Sequence, residues 1–200
     1  DLIVEDSATL VLHSLNLTLK TARIGTDTEL IPDAPQLPSW FKVHGTSFMF
    51  AEDLWVWQMG KIIGRGLGYK AGFGPGSASE LKAGASHASC GGPSSAVCKI
   101  YGRGVEPGSG GAEDGGGDGG AAFIVYVKNK LSMEGTIDFS GTDATKADRG
   151  GGSGGSVSLT ANEIVGTGNI TVAGGAGKKS LGGGGSGGYV TITATITQEG

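Results

Sequence analysis

Charged side chains are scarce in this chain, at 17% of its 200 residues, and the formal net charge is only −4. Hydrophobic residues make up 38% of the sequence, which is too many for a disordered polyelectrolyte. The 15 lysine and arginine residues form no basic stripe that could follow a phosphate backbone. We therefore expect no nucleic-acid partner.

Long hydrophobic runs are also missing. The longest, Ala121 to Val127, has seven residues, whereas a membrane-spanning helix needs roughly 18 or more. No apolar stripe recurs at the 3.6-residue helical period, so helix should amount to a turn or two at most. The sequence predicts no membrane span and an all-β fold.

Glycine is abundant, with 41 residues, but only Gly25, Gly45 and Gly60 fall among the first 60 positions. In this glycine-poor part, leucines at alternate positions, such as Leu10 and Leu12, predict half-buried strands. We expect the later glycine tracts to be ordered, either packed where backbones approach too closely for a Cβ or turning with positive φ.

The second half of the chain repeats with a period of 33 residues. Gly135–Gly141 aligns with Gly168–Gly174, and Gly154–Thr160 aligns with Gly187–Thr193. Such a repeat is typical of a solenoid, because a single unit cannot bury its own apolar face. The predicted fold is a right-handed parallel β-helix with ordered glycine-rich loops, in which Ile137 stacks on Ile170 and Val157 on Val190.

The composition divides the chain into three parts. Residues 1–60 are the Leu- and Val-rich N-terminal portion, 61–122 are a glycine-rich insertion that contains both cysteines, and 123–200 carry the 33-residue coils. The stretch from 65 to 122 has no clear strand pair.

Several glycine motifs occur in a familiar order: Gly60–Tyr69, Gly74–Gly76, Ala83–His87, Gly108–Gly111 and two GGGSGG blocks. Together they resemble the glycine-rich, repeat-containing surface and secreted proteins of plants, protists and some bacteria, over residues 54–194. His87 departs from the pattern, since Ala-Ser follows it instead of Gly-Gly. The resemblance implies an extracellular scaffold and no particular chemistry.

Cys90 and Cys98 are the two cysteines of the chain. Two cysteines so close together in a secreted, glycine-rich sequence predict a local disulfide. The alternative is a metal site that adds His87, but it supplies only three ligands at a spacing unlike known zinc sites.

Asn16 and Asn169 each begin an Asn-x-Thr sequon, which is an N-glycosylation acceptor in a secreted protein. Their neighbours are apolar and should point inward, which turns the asparagines outward. Attached glycans are therefore expected, although a threonine-rich strand protein also produces this triplet by chance.

Acidic residues offer weaker candidates. Glu113, Asp114 and Asp118 lie in a glycine-rich stretch and could bind Ca²⁺, but solvated loop acids are the simpler interpretation. A second set, evenly spaced by five residues, resembles a lyase carboxylate cluster: Asp138, Asp143 and Asp148. Only Asp138 falls in a clear strand, so we expect no catalytic site, no metal and no cofactor.

Trp55 and Trp57 alternate along one strand and should share the face opposite Leu54 and Val56. Such a pair is a candidate for sugar stacking or for a contact between protomers. The simpler alternative is that the long segment 65–122 covers both rings.

The last apolar strand has a strong β propensity, and no polar cap follows it. Its residues are Val190, Thr191, Ile192, Thr193, Ala194, Thr195, Ile196 and Thr197. An uncapped strand edge templates association, so the sequence predicts head-to-tail pairing of copies into a filament. The alternative is that this chain belongs to a longer polypeptide whose next coils cover the edge.

These features predict a secreted, glycosylated structural protein that forms an extracellular fibril or a cell-surface coat, and not an enzyme. The first alternative is a carbohydrate-binding or adhesive module. A polysaccharide lyase on the same fold is the weaker alternative.

Overall fold

The computed structural model describes residues 1–4, 9–13, 16–25, 39–92, 98–179 and 181–195. These residues form eleven strands, and no helix occurs among them. The strands are β1 (Leu2–Val4), β2 (Thr9–His13), β3 (Asn16–Ile24), β4 (Ser39–His44), β5 (Thr46–Val56), β6 (Gly60–Ile63), β7 (Ala122–Met133), β8 (Thr136–Asp138), β9 (Ser156–Val165), β10 (Asn169–Thr171) and β11 (Tyr189–Ala194).

The chain alternates between two sheets. The odd-numbered strands form a six-stranded sheet in the order β1-β3-β5-β7-β9-β11, and the even-numbered strands form a five-stranded sheet in the order β10-β8-β6-β4-β2. Every neighbouring pair of strands is parallel. One end of both sheets is therefore made by β1 and β2, and the other by β10 and β11.

The predicted right-handed parallel β-helix is wrong. The strands of the described residues form two separate sheets of six and five strands, and no sheet among these residues joins them into a closed coil. The physical reason lies in the glycine-rich segments, which were expected to be loops of the coil. They form no strands among the described residues 64–121 and instead hydrogen-bond to one another beside the sheets.

The 33-residue register is confirmed. Ile170 pairs with Ile137, which pairs on its other side with Ile62. In the six-stranded sheet, Val190 pairs with Val157 and Ile192 with Leu159. The sequence repeat thus predicts the strand pairing correctly, but it does not predict how the two sheets are arranged.

The hydrophobic core is built from rows of equivalent side chains. Val125 and Leu159 come from paired positions of β7 and β9 and are buried. Phe123 and Phe139 stack nearly parallel, with ring centroids 5.7 Å apart. Along β5 the side chains that face the core change from odd-numbered residues, Met49 and Ala51, to even-numbered ones, Leu54 and Val56. At the same point β7 carries one residue more than β5. Such a bulge bends the strands and lets both halves face the core.

Glycine-rich segments form a second hydrogen-bonded body, which we call the glycine bundle. The carbonyls of segment 150–155 accept hydrogen bonds from several other segments, including Ala85, Gly117, Gly120 and Gly175. Its amides donate to three neighbours, namely 183–186, 139–142 and Ser109, each from different positions. The bonds are Gly151 N–H to Gly183 O at 3.0 Å, Gly154 N–H to Ser186 O at 2.8 Å, Gly152 N–H to Thr142 O at 3.0 Å, Gly155 N–H to Phe139 O at 2.8 Å and Ser153 N–H to Ser109 O at 3.0 Å. A given neighbour is contacted at every third residue, which is the period of a polyproline-II helix.

Close backbone contact explains why these positions are glycine. A Cβ on Gly152 would lie 2.1 Å from the Asp118 carbonyl oxygen, and one on Gly188 would lie 1.9 Å from that of Gly155. The expectation that the glycine tracts are ordered, and packed too tightly for side chains, is confirmed at these positions.

Candidate functional site

The outermost strand of the six-stranded sheet exposes apolar side chains. Val190 and Ile192 of β11 are 43% and 54% exposed, whereas their partners Val157 and Leu159 in β9 are 0% and 1% exposed. All four occupy the same core-facing rows. The difference arises because no described strand follows β11, so that the core rows end in solvent. We call residues Tyr189–Ala194 the β11 edge.

Backbone groups of the β11 edge alternate in direction. The Tyr189 N–H donates to Gly155 O at 3.0 Å, and the Thr195 N–H donates to Ala161 O at 3.2 Å. Odd-numbered residues of β11 therefore bond to β9, and the amides of Val190, Ile192 and Ala194 point away from it. These outward groups can bind the backbone of another parallel strand.

The predicted assembly strand is placed only in part. β11 ends at Ala194, and Thr195 follows it, while Ile196 and Thr197 lie outside the described residues. The threonines of this strand, Thr191, Thr193 and Thr195, are exposed, and β9 continues their row with half-buried Ser158 and Thr160.

The two tryptophans lie at the end of β5. Trp55 is half-buried, and the Arg23 guanidinium carbon lies 5.3 Å from its ring centroid. Trp57 follows the strand and is also half-buried, with an indole Nε1 that is shielded from solvent and has no hydrogen-bond partner. Neither ring is largely open to a ligand.

Other aromatic side chains are more exposed than the tryptophans. Phe48, Phe50 and Tyr126 stand on the outer face of the six-stranded sheet, at 38%, 47% and 48% exposure. The sequence analysis did not single them out. The sequence nevertheless contains a pattern that predicts their outward position, since Phe48 and Phe50 alternate with the inward Met49 and Ala51.

The structure places the two sequon asparagines on separate sheets. Asn169 is exposed in β10, next to the half-buried Ile170. Asn16 lies in β3, where its backbone pairs with Phe48.

Cys90 and Cys98 are joined by a disulfide, with their Cα atoms 5.3 Å apart. The chain that follows the disulfide packs onto the start of β9, where the Ser156 hydroxyl donates to the Glu106 carbonyl oxygen at 2.7 Å. Because both cysteines are bonded to each other, they cannot serve as thiolate ligands beside His87 in the metal site considered above.

His87 is a buried group inside the glycine bundle. Its Nδ1 lies 2.7 Å from the Gly154 carbonyl oxygen, and a carbonyl only accepts, so Nδ1 carries the proton. The rings of Tyr101 and Tyr189 pack against the imidazole at centroid distances of 4.6 and 5.0 Å. Its Nε2 is shielded and has no hydrogen-bond partner among the described residues. Burial lowers the pKa of His87, more than the carbonyl of Gly154 and the charge of Glu106 raise it.

Stability should fall as the pH drops through the usual His87 pKa of 6.5. Below that value the unfolded chain binds a proton that the folded chain, with its lowered pKa, resists, so protonation favours unfolding. Urea denaturation at pH 7.5 and pH 5 measures this loss. His87→Gln keeps a donor for Gly154 and should show a smaller difference between the two pH values. An equal pH dependence in both proteins would contradict the assignment.

Two of the acidic candidates for a Ca²⁺ site, Asp114 and Asp118, form ion pairs with lysine side chains. Asp118 forms an ion pair with Lys70 at 2.8 Å and accepts the Ala71 N–H at 2.9 Å. Asp114 contacts Lys146, and this hydrogen bond lowers the pKa of Asp114. The described part of the chain contains no group of three or more side chains placed to hold a metal ion.

The three acids spaced by five residues, Asp138, Asp143 and Asp148, each have a different local environment. Asp138 accepts the Ser140 N–H at 3.0 Å, and Asp143 accepts the Ala176 N–H at 2.7 Å. Asp148 adopts a positive φ of 54°. Asp138 thus caps a local backbone turn, whereas Asp143 joins two segments that are 33 positions apart in the sequence.

No protein-family model, curated protein or solved structure matches this chain. Within the described ranges, no helix has the length and hydrophobicity needed to span a bilayer. Arguments about function therefore rest on the geometry of the chain itself.

Proposed function

We propose that this chain is a structural protein, a unit of an extracellular fibril or cell-surface coat whose copies associate head to tail through the β11 edge. The observation that supports the proposal most is the pair of exposed core side chains, Val190 at 43% and Ile192 at 54%. Covering them would continue rows that are otherwise buried, and burying the exposed half of each side chain would contribute about 0.7–1.5 kcal/mol, half of the value for full burial.

A second copy fits the β11 edge because every strand in the six-stranded sheet is parallel. The β1 end of one copy, added to the β11 edge of the next, continues the sheet without reversing any strand. At that opposite end, Ile3 is exposed in the outer-face row of Arg23, and the core-facing Val4 is 3% exposed. The two surfaces differ, so the contact is heterologous and does not close on itself, and contacts of this type propagate as a filament.

The hydrogen bonding within the glycine bundle favours a structural role. Its segments are joined by backbone hydrogen bonds to several neighbours at once, and the Cys90–Cys98 disulfide closes one loop beside it. A disulfide favours an oxidising, extracellular compartment, and the exposed Asn169 sequon fits the same location. We propose no enzymatic role and no cofactor.

Ile192→Lys should abolish association. Ile192 is in register with the buried Leu159, so a lysine there would place an unpaired charge among the apolar rows that a second copy would bury, which is costly. Thr193→Lys is the matched control, because it adds the same charge to the neighbouring residue on the opposite face of β11. Sedimentation velocity over a range of protein concentrations measures the change.

We expect the native chain and Thr193→Lys to form concentration-dependent oligomers and Ile192→Lys to remain monomeric. A native chain that stays monomeric at all concentrations would contradict the proposal. Equal oligomerisation of all three proteins would show that another surface is responsible.

A further inference from the structure

The outer face of the six-stranded sheet carries a continuous row of aromatic and hydroxyl side chains. Register places these residues side by side on successive strands: Thr18, Phe50, Tyr126, Thr160 and Thr193. Neighbouring strands are about 4.8 Å apart, so the row is regular and crosses five strands. We call it the aromatic row.

The two rings of the aromatic row enclose a shallow depression. The centroids of Phe50 and Tyr126 are 6.2 Å apart, and the rings are inclined by 45° to each other. The depression is open to solvent and has a volume of ≈ 360 Å³, so it can contact one face of a ligand. Both rings are about half exposed, so their faces can contact a ligand without rearrangement of the core.

Polar groups stand around the depression. Thr18 borders one side, and Glu52 and Lys128 border the other. The Lys128 Nζ lies 3.8 Å from the Glu52 Oε1, and both side chains remain largely solvated. The rim thus offers hydrogen-bond donors and acceptors together, and its two charges balance each other.

This combination matches the chemistry of a neutral sugar. A pyranose ring presents C–H groups on its faces, which pack on aromatic rings, and hydroxyls at its edge, which both donate and accept hydrogen bonds. A rim with balanced charges gives no preference for an acidic sugar. The neighbouring row on the same face supplies further contacts through Phe48, Ser158 and Thr191.

A second protein copy fits the same surface less well. Covering the aromatic row with protein would also bury the Glu52–Lys128 ion pair, whose desolvation costs more than the pair regains unless further hydrogen bonds form. A sugar can instead bind Glu52 and Lys128 through its hydroxyls while the pair stays partly in water.

We propose that the aromatic row is a binding surface for a neutral hexose polysaccharide, with Phe50 and Tyr126 as stacking residues and Thr18, Glu52 and Lys128 as hydrogen-bonding residues. The stacking residues Phe50 and Tyr126 lie apart from the self-association surface, since β9 separates β7 from the β11 edge; Thr193 is the one residue of the aromatic row that belongs to that edge. It also assigns sugar contact to residues other than Trp55 and Trp57.

The test uses cellulose, chitin, β-1,3-glucan and mannan as insoluble probes in pull-down assays. Isothermal titration with a soluble hexasaccharide of the retained polymer then gives the affinity. Phe50→Ala and Tyr126→Ala should each weaken binding roughly tenfold or more, as truncation of a central aromatic contact does. Tyr126→Phe keeps the ring and should retain most of the affinity.

Phe73→Ala is the matched control, because Phe73 is an exposed phenylalanine, at 63%, in the glycine-rich part of the chain. It should bind like the native protein. Absence of native binding to all four polymers would overturn the proposal. So would equal losses in Phe73→Ala and Phe50→Ala, or a change of oligomeric state in Phe50→Ala, which would identify the row as a protein contact.

Discussion

Gly185→Ala is expected to destabilise the chain by about 3 kcal/mol or more, whereas Gly184→Ala should be neutral or slightly stabilising. A Cβ on Gly185 would lie 2.0 Å from the Gly152 carbonyl oxygen and 2.9 Å from the Ser153 nitrogen. Both atoms are backbone, so no side chain can rotate away. The glycine bundle would have to separate at this contact.

Gly184 is the control for the same chemical change one residue away. A Cβ there would meet only the Gly175 carbonyl oxygen, at 3.6 Å, which is an ordinary contact. Replacing such a glycine reduces the entropy of the unfolded chain and stabilises by about 0.4–1 kcal/mol. Urea unfolding of the two variants measures the difference. Similar stabilities would contradict the close packing of these segments.

Phe139→Ala should cost about 3–5 kcal/mol, the usual loss for a buried phenylalanine. Phe139 is fully buried and stacks on Phe123, and its carbonyl accepts the Gly155 N–H at 2.8 Å. Its ring also fills the space beside Gly64, where a Cβ would lie 2.4 Å from the ring. The residue therefore joins the sheet core to the glycine bundle.

Loss of Phe139 should consequently weaken both parts together. Far-ultraviolet circular dichroism follows the sheets, and the amide NMR signals of the glycine residues follow the bundle, so the two melting curves should shift by the same amount. Phe73→Ala is again the control and should change stability by less than about 0.5 kcal/mol, as exposed substitutions usually do. Separate melting of the two signals would show that the core and the bundle are independent.

Strand pairing was predictable because identical motifs carry it. The 33-residue offset aligns Ile137 with Ile170 and Val157 with Val190, and each of these pairs is adjacent in the sheets. Period-two alternation likewise identified the inward Leu54 and Val56. Side-chain patterns of this kind can be recognised from the sequence alone.

The division into two sheets and a glycine bundle was not predictable in the same way. Glycine has no side chain, so a glycine tract shows no alternation that would separate a strand from a segment with threefold hydrogen bonding. The amides of segment 150–155 alone donate to three neighbouring segments, and no residue preference marks which neighbours these are. The prediction of a closed β-helix was therefore wrong, because the glycine tracts do not indicate how the segments between the strands are arranged.

The candidate site was predictable in part. The β propensity of residues 190–194 identified the edge strand, because Val, Ile and Thr favour strands. The sugar-stacking hypothesis, by contrast, was placed on Trp55 and Trp57, which alternate in sequence but are half-buried. Phe50 and Tyr126 are 76 positions apart and become neighbours only through the register of β5 and β7.

Negative-stain electron microscopy and fibre diffraction of the native chain test the proposed assembly most directly. If copies continue the six-stranded sheet through the β11 edge, each copy adds six strands, which corresponds to an axial repeat of about 29 Å over a strand spacing of about 4.8 Å. We expect unbranched filaments with both spacings along the fibre axis. Monodisperse particles of single-chain size, or filaments whose strands lie along the axis, would contradict the proposal.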